Sequence, residues 1–199
     1  AILQTQNEQR MQLAIDGTLA KLSNSGWSVV SYSSQEQYME GTNGFASLAV
    51  DGDVSTYWHT SWAWGNVDYP HSITLLHDGE ITLDQMALVL PTNRSTNYTA
   101  KKVTVSKSAN GTAWTEVGTY TLDASSSQAI RFASPLTTTY LKLDFTEGNG
   151  LPNLVIGDIE FYHNDLNSMK TLAQSILDGV DKFNGYDSQD TQTALYLST

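Results

Sequence analysis

Tyr140-Leu141-Lys142-Leu143-Asp144-Phe145-Thr146 sets apolar and polar residues in strict alternation, the period of a strand with one dry face and one wet face. Working outward, similar short runs rich in Val, Ile, Thr and Tyr fill the chain from Trp27 to Tyr162. They predict strands at Trp27–Ser33, His71–Leu76, Glu80–Leu90, Lys102–Lys107, Thr115–Leu122, Gln128–Phe132, Tyr140–Phe145 and Val155–Tyr162. Turn chemistry punctuates them at Asp51-Gly52, Asp78-Gly79, Asn110-Gly111 and Gly148-Asn149-Gly150. Many short strands at this spacing predict an antiparallel sandwich or barrel.

Outside that span the period changes. Met11, Ile15, Leu19 and Leu22 line one face of a helix predicted over Leu3–Leu22, with Gly26 as its C-terminal cap. Leu166, Met169, Ala173, Ile176, Val180 and Phe183 form a second stripe, entered through Asn164 or Asp165 and ended near Asn184-Gly185. A further helix is expected from Ser188. The predicted organisation is a helical segment over 1–26, a β-sandwich over 27–163 and a helical spacer over 164–199. The start at Ala1 inside a helical pattern suggests a piece of a longer parent chain whose upstream address has been removed.

Composition narrows the function. Hydrophobic residues make up 40 % of the 199, enough for an ordinary core. No apolar run approaches the ~20 residues that cross a bilayer, so no membrane insertion is expected. Ten basic against 21 acidic residues leave a formal charge of −11. Nucleic-acid and anionic-membrane binding both need clustered Lys and Arg, and only Lys101 and Lys102 adjoin. The absence of cysteine excludes thiol catalysis, thiolate metal sites and disulfides, though not secretion.

Two stretches could carry chemistry. Asp51-Gly52-Asp53-Val54-Ser55-Thr56 concentrates oxygen atoms around a tight turn, which suits a hard cation such as Ca²⁺. The spacing leaves an ordinary self-capped acidic turn equally open. In Trp58-His59-Thr60-Ser61-Trp62-Ala63-Trp64, Trp58 is expected in the core. Trp62 and Trp64 enter a polar loop, where an exposed indole suits the C–H face of a sugar ring and nearby polar groups suit its hydroxyls. A lone His59 reads more readily as a structural hydrogen bond than as a ligand. No Gly-x-Ser-x-Gly elbow, His-Glu-x-x-His helix or phosphate-cradling loop is present, and no acidic pair is singled out for glycoside cleavage.

The run Ala49-Val50-Asp51-Gly52-Asp53-Val54-Ser55-Thr56-Tyr57-Trp58-His59-Thr60 resembles the signature loop of discoidin-like domains, the coagulation-factor type C family. Further pieces agree in order: Tyr69-Pro70-His71, Leu90-Pro91 followed by Arg94, Val105 to Trp114, and Ile156-Gly157-Asp158-Ile159-Glu160-Phe161-Tyr162. The resemblance covers Trp27 to Tyr162. It implies a mostly β protein, an antiparallel jelly-roll or discoidin-like β-sandwich.

Within that family the Trp-His-Thr-x-Trp form is similar to carbohydrate-binding module family 32, whose members accompany secreted bacterial glycoside hydrolases. The resemblance implies a non-catalytic module for terminal sugars of the galactose, N-acetylgalactosamine or N-acetylglucosamine type, outside the cytoplasm and joined to other domains of a parent such as a chitobiase or hexosaminidase. By position it implies His59, Arg94 and Glu40 as hydroxyl partners and Trp62 as the stacking platform, with Asn97 and Asn153 as further ligands. It also implies a structural Ca²⁺ held by carbonyls of Leu48, Asp53 and Gly157 and side chains of Asp51, Thr56 and Asp158. A protein-adhesion module of the discoidin type is the alternative.

Overall fold

Full burial of Leu141, Leu143 and Phe145, against half-buried Lys142 and Asp144 and exposed Thr146, puts the first of these faces in the core. The protein was studied as a computed structural model, which describes residues 19–65, 67–164 and 174–175. In chain order the strands are β1 (Leu19–Lys21), β2 (Trp27–Tyr32), β3 (Trp58–His59), β4 (His71–Val89), β5 (Ala100–Ser108), β6 (Thr115–Thr121), β7 (Ser127–Gly148), β8 (Val155–Ile156) and β9 (Asp158–Asn164). Among the described residues, seven of them form one sheet in the order β1-β9-β4-β7-β5-β6, with β2 added to β4, while β3 and β8 pair separately.

All recorded ladders are antiparallel, and β4 and β7 are paired along almost their whole length. The half of β4 from His71 to Leu76 sits between β2 and the Tyr140–Phe145 half of β7, which continues to β5 and β6. Its other half, from Gln85 to Val89, sits between β9 and the Ser127–Arg131 part of β7. The two long strands thereby belong to both layers of the β-sandwich. Leu143 lies opposite Ile73 and Val105, and Phe145 opposite His71 and Val103, so one buried row crosses three strands. Trp27 stacks on Phe161 at 4.3 Å between ring centroids. Each such side chain contributes about 1.5–3 kcal/mol on burial.

Three expectations are corrected. Asp78-Gly79 does not end a strand: β4 runs on through a register shift between Leu76 and Ile81, since partner β7 continues beside it. Gln128–Phe132 and Tyr140–Phe145 are likewise parts of one strand. Leu19–Lys21 is strand rather than the end of a helix, placed beside β9, and the Leu22 amide donates to the Phe161 carbonyl at 2.8 Å. The remaining helix predicted before residue 19 lies outside the described residues, as do those after Asn164 except for Gln174 and Ser175, which are helical. The chain divides into two compact units, Lys21–His163 and a unit drawn from Ala1–Ala20 and Asn164–Thr199.

Candidate functional site

The Trp58–His59 stretch is fixed on both sides. Trp58 pairs with Ile156 and His59 with Val155, and the Thr60 amide donates to the Leu154 carbonyl at 3.0 Å. On the other side Gly44 donates to the Tyr57 carbonyl at 2.8 Å and accepts from the His59 amide at 3.3 Å. Gly44 holds φ at +91°, and a Cβ there would stand 1.8 Å from the Glu36 carbonyl oxygen, so only glycine lets the 36–44 loop approach this closely. Trp58 is wholly buried, its indole donating to the Ser34 carbonyl at 2.9 Å.

The loops so placed enclose a cavity of about 510 Å³ lined by Glu40, His59, Trp62, Arg94, Tyr98 and Asn153. Glu40 is its hub. One carboxylate oxygen accepts from the Trp62 indole at 3.0 Å. The other accepts from the Tyr57 hydroxyl at 2.6 Å and from the Arg94 guanidinium. Arg94 also lies over the Tyr57 ring, 4.7 Å from its centroid. Asn153 donates to the Ser61 carbonyl at 3.1 Å, holding its own loop against the 60–64 loop.

His59 is buried, with Nδ1 2.6 Å from the Thr60 carbonyl oxygen. A carbonyl only accepts, so Nδ1 carries the proton and Nε2 presents a lone pair, 3.8 Å from Glu40 Oε1. Burial pulls the imidazole below its ordinary value of 6.5, against the opposing pull of the Thr60 carbonyl and Glu40. The ring is neutral at physiological pH and acts as an acceptor. The cavity thus offers a neutral acceptor, an anionic acceptor, a guanidinium donor and an aromatic face.

Five of the six residues expected around a sugar meet here, and the sixth, Asn97, lies outside them. It sits on the short 3-10 turn Thr96–Tyr98 with its side chain against Gly150, where a Cβ would come within 3.1 Å of it. The same turn delivers Tyr98, whose ring meets His59 edge-on at 5.5 Å. Sequence reading missed Tyr98, although Asn97-Tyr98 stood in the polar loop after Arg94. It also missed Glu36, a buried carboxylate that accepts from the amides of Tyr38 at 3.2 Å, Trp62 at 3.0 Å and Ala63 at 2.9 Å. Burial would raise Glu36, but these amides and that of Met39 outweigh it and hold the carboxyl below its ordinary 4.5.

The acidic turn lies beside the last strand. Asp51 accepts from the Thr56 hydroxyl at 2.7 Å and from the Asp53 amide at 3.0 Å. The Asp53 carboxylate is engaged by the amide and hydroxyl of Ser55, so its carbonyl, already accepting from Thr56, is the oxygen turned to the turn's interior bonding. Leu48 lies in the 3-10 turn Ala46–Val50 just before it. Gly157 fits closely against the Val54 carbonyl, where a Cβ would come within 3.1 Å. Asp158 is fully buried: one oxygen accepts from Asn24 at 2.7 Å, and the other has no hydrogen-bond partner among the described residues, the Lys21 ammonium standing 3.8 Å away. Burial pushes its carboxyl up to about 6, against the pull of Lys21. An under-satisfied carboxylate beside a second carboxylate, a hydroxyl and several carbonyls fits the all-oxygen donor set of Ca²⁺. Among the described residues no three His, Cys, Asp or Glu side chains converge on one point, so such an ion would rest chiefly on hydroxyl and carbonyl oxygens.

The family model of the F5/8 type C domain matches residues 28–156. A sialidase of Micromonospora viridifaciens is 33 % identical over 98 residues, which are 49 % of this chain and 15 % of that protein. Among solved structures, the family 32 carbohydrate-binding module of C. perfringens NanJ, in complex with galactose, aligns with TM-score 0.61 and 23 % identity over 73 % of this chain and 99 % of that one. The C-terminal domain of a Bacteroides fragilis chitobiase aligns with TM-score 0.65 and 26 % identity over 73 % of this chain and 98 % of its own. A Clostridium perfringens module in complex with GalNAc-β-1,3-galactose aligns with TM-score 0.63 and 19 % identity, over 72 % of this chain and all of that one.

Proposed function

The chain belongs to the F5/8 type C domain family, and from that membership we propose that it is a non-catalytic carbohydrate-binding module whose site is the cavity around Glu40, His59, Trp62 and Arg94. The observation that carries the reading is the placement of a neutral imidazole acceptor and an Arg–Glu pair beside a half-exposed indole in one cavity. A sugar hydroxyl both donates and accepts. His59 Nε2 or a Glu40 oxygen accepts the hydrogen bond it donates, while Arg94 donates to its oxygen. Adjacent hydroxyls on one ring can use both arrangements at once, and the Trp62 face takes the ring's C–H side.

A binding rather than a hydrolytic role fits the lining. Glu40 is the one carboxylate among those six residues, and it is already committed to Arg94, Tyr57 and Trp62. Glycoside cleavage employs two carboxyl groups with divided protonation. Galactose and GalNAc-containing ligands in structural relatives favour a terminal galactose-type sugar, and the chitobiase and sialidase relatives favour a role in bringing a larger secreted bacterial hydrolase to glycans.

Ca²⁺, held by side chains of Asp51, Thr56 and Asp158 and carbonyls of Leu48, Asp53 and Gly157, would neutralise the buried carboxylate and brace the turn that leads into Trp58-His59. It takes no part in sugar contact.

Binding of the purified chain to a glycan array, followed by calorimetry, tests the function. We expect a Kd of roughly 0.1–1 mM for the preferred monosaccharide, about 4–5.5 kcal/mol. Trp62→Ala should abolish it with the melting transition nearly intact, and His59→Ala should abolish it at a cost in stability, because that ring is buried. Binding retained in both variants would defeat the assignment of this cavity.

A further inference from the structure

The 36–40 and 61–64 segments are fastened together at two points. Glu36 accepts from amides on both, at Tyr38, Trp62 and Ala63, and Glu40 accepts from the Trp62 indole. On the fastened segments four large side chains face solvent: Trp64 at 79 % exposure, Tyr38 at 68 %, Met39 at 58 % and Trp62 at 39 %. None of the four belongs to the hydrophobic core. Single exposed apolar residues are ordinary, but a set held on two cross-tied segments beside a cavity marks a surface that meets something.

We infer that this ledge is a second subsite, which receives the sugar ring adjoining the one in the cavity, so that the protein selects glycans of two or more rings over monosaccharides. The inference rests on the reading of the cavity as a sugar site. Continuity supports it: Trp62 and Glu40 belong both to the cavity and to the ties that hold the ledge. The chemistry agrees as well. Trp64 and Tyr38 supply broad, stiff faces with a polar edge, suited to a ring that is apolar on its faces and polar at its rim. An anionic bilayer is a poor occupant for a chain of net charge −11.

Calorimetry with galactose, N-acetylgalactosamine, N-acetylglucosamine, N-acetyllactosamine and GalNAc-β-1,3-galactose tests this. The wild-type chain should bind at least one disaccharide about fivefold more tightly than its best component monosaccharide, as one added aromatic contact provides. Trp64→Ala should remove most of that increment, leave monosaccharide affinity within about twofold, and leave the melting temperature unchanged because the ring is exposed. Tyr38→Ala should reduce the increment in part. Equal affinity for mono- and disaccharides, or an increment that survives both substitutions, overturns the ledge while leaving the cavity reading intact. Trp64-dependent capture on phosphatidylcholine vesicles without any disaccharide increment assigns the ledge to lipid and likewise overturns the inference. Failure of the wild-type chain to bind any of the five sugars overturns the cavity reading, and the ledge falls with it.

Discussion

The Trp62 indole N–H donates to Glu40 Oε1 at 3.0 Å, so the aromatic platform and the anionic hub of the cavity are oriented as one unit. Because the opposite oxygen of Glu40 holds Tyr57 and Arg94, this carboxylate fixes three side chains from two separate parts of the chain, Tyr57 with Trp62 and Arg94. Glu40→Ala should weaken monosaccharide binding more than about tenfold, since loss of a charged hydrogen bond alone amounts to about 1.5–3 kcal/mol. Glu40→Gln, which can still accept from one donor, should fall between that variant and the wild type in calorimetry.

On the proposed reading, His59 should set the acid limit of sugar binding. Its lone pair at Nε2 exists only in the neutral ring, and burial lowers its pKa from 6.5. Affinity should be flat above pH 6.5 and decline only at more acidic values, and titration calorimetry across that range reads it directly. The stability sign follows from the same shift. Between the lowered folded value and 6.5 the unfolded chain binds a proton that the fold refuses, so the His59 contribution is complete above pH 6.5 and diminishes as pH falls below it. Affinity rising on acidification would contradict the acceptor role.

Glu36 supports both loops without lining the cavity. Glu36→Ala leaves three backbone amides without their anionic partner and should lower stability by about 2–3 kcal/mol in urea denaturation. Its sugar affinity should fall too, because Trp62 loses its anchor. The depressed carboxyl also works as a pH-dependent support: its stabilisation is present above the ordinary 4.5 and is lost as pH drops through the lower folded value.

Ca²⁺ should raise the melting temperature, and a chelator should reverse the gain. Asp158→Asn removes the charge from the under-satisfied carboxylate and should abolish most of the Ca²⁺-dependent increment while leaving the metal-free protein folded. A melting curve insensitive to Ca²⁺ and chelator would exclude the site.

The period-two pattern around Leu143 was legible because side-chain alternation is local, and the buried row it forms with Ile73 and Val105 follows from it. The join at Asp78-Gly79 was not legible. The dipeptide favours a turn, and only the partner strand running alongside shows that the chain continues as one bent strand. Leu19 and Leu22 fit a helical stripe equally well as a short edge strand, and pairing beside β9 decided it. In the cavity, His59, Trp62 and Arg94 stood out by residue type and motif. Glu36 carries no such mark, since its importance comes from amides 26 and 27 residues away that only the folded loops bring to it.

The two-residue ladder of β3 and β8 has a dynamic consequence. His59 is paired with Val155, and Ile156 is separated from Asp158 by Gly157 alone. A cation that neutralised Asp158 would therefore damp the strand against which the imidazole is registered. Amide hydrogen exchange at Trp58, His59 and Thr60 should slow when Ca²⁺ is added, even with no sugar present. The ion and the glycan would then reinforce each other through a shared loss of backbone motion, without a change of shape.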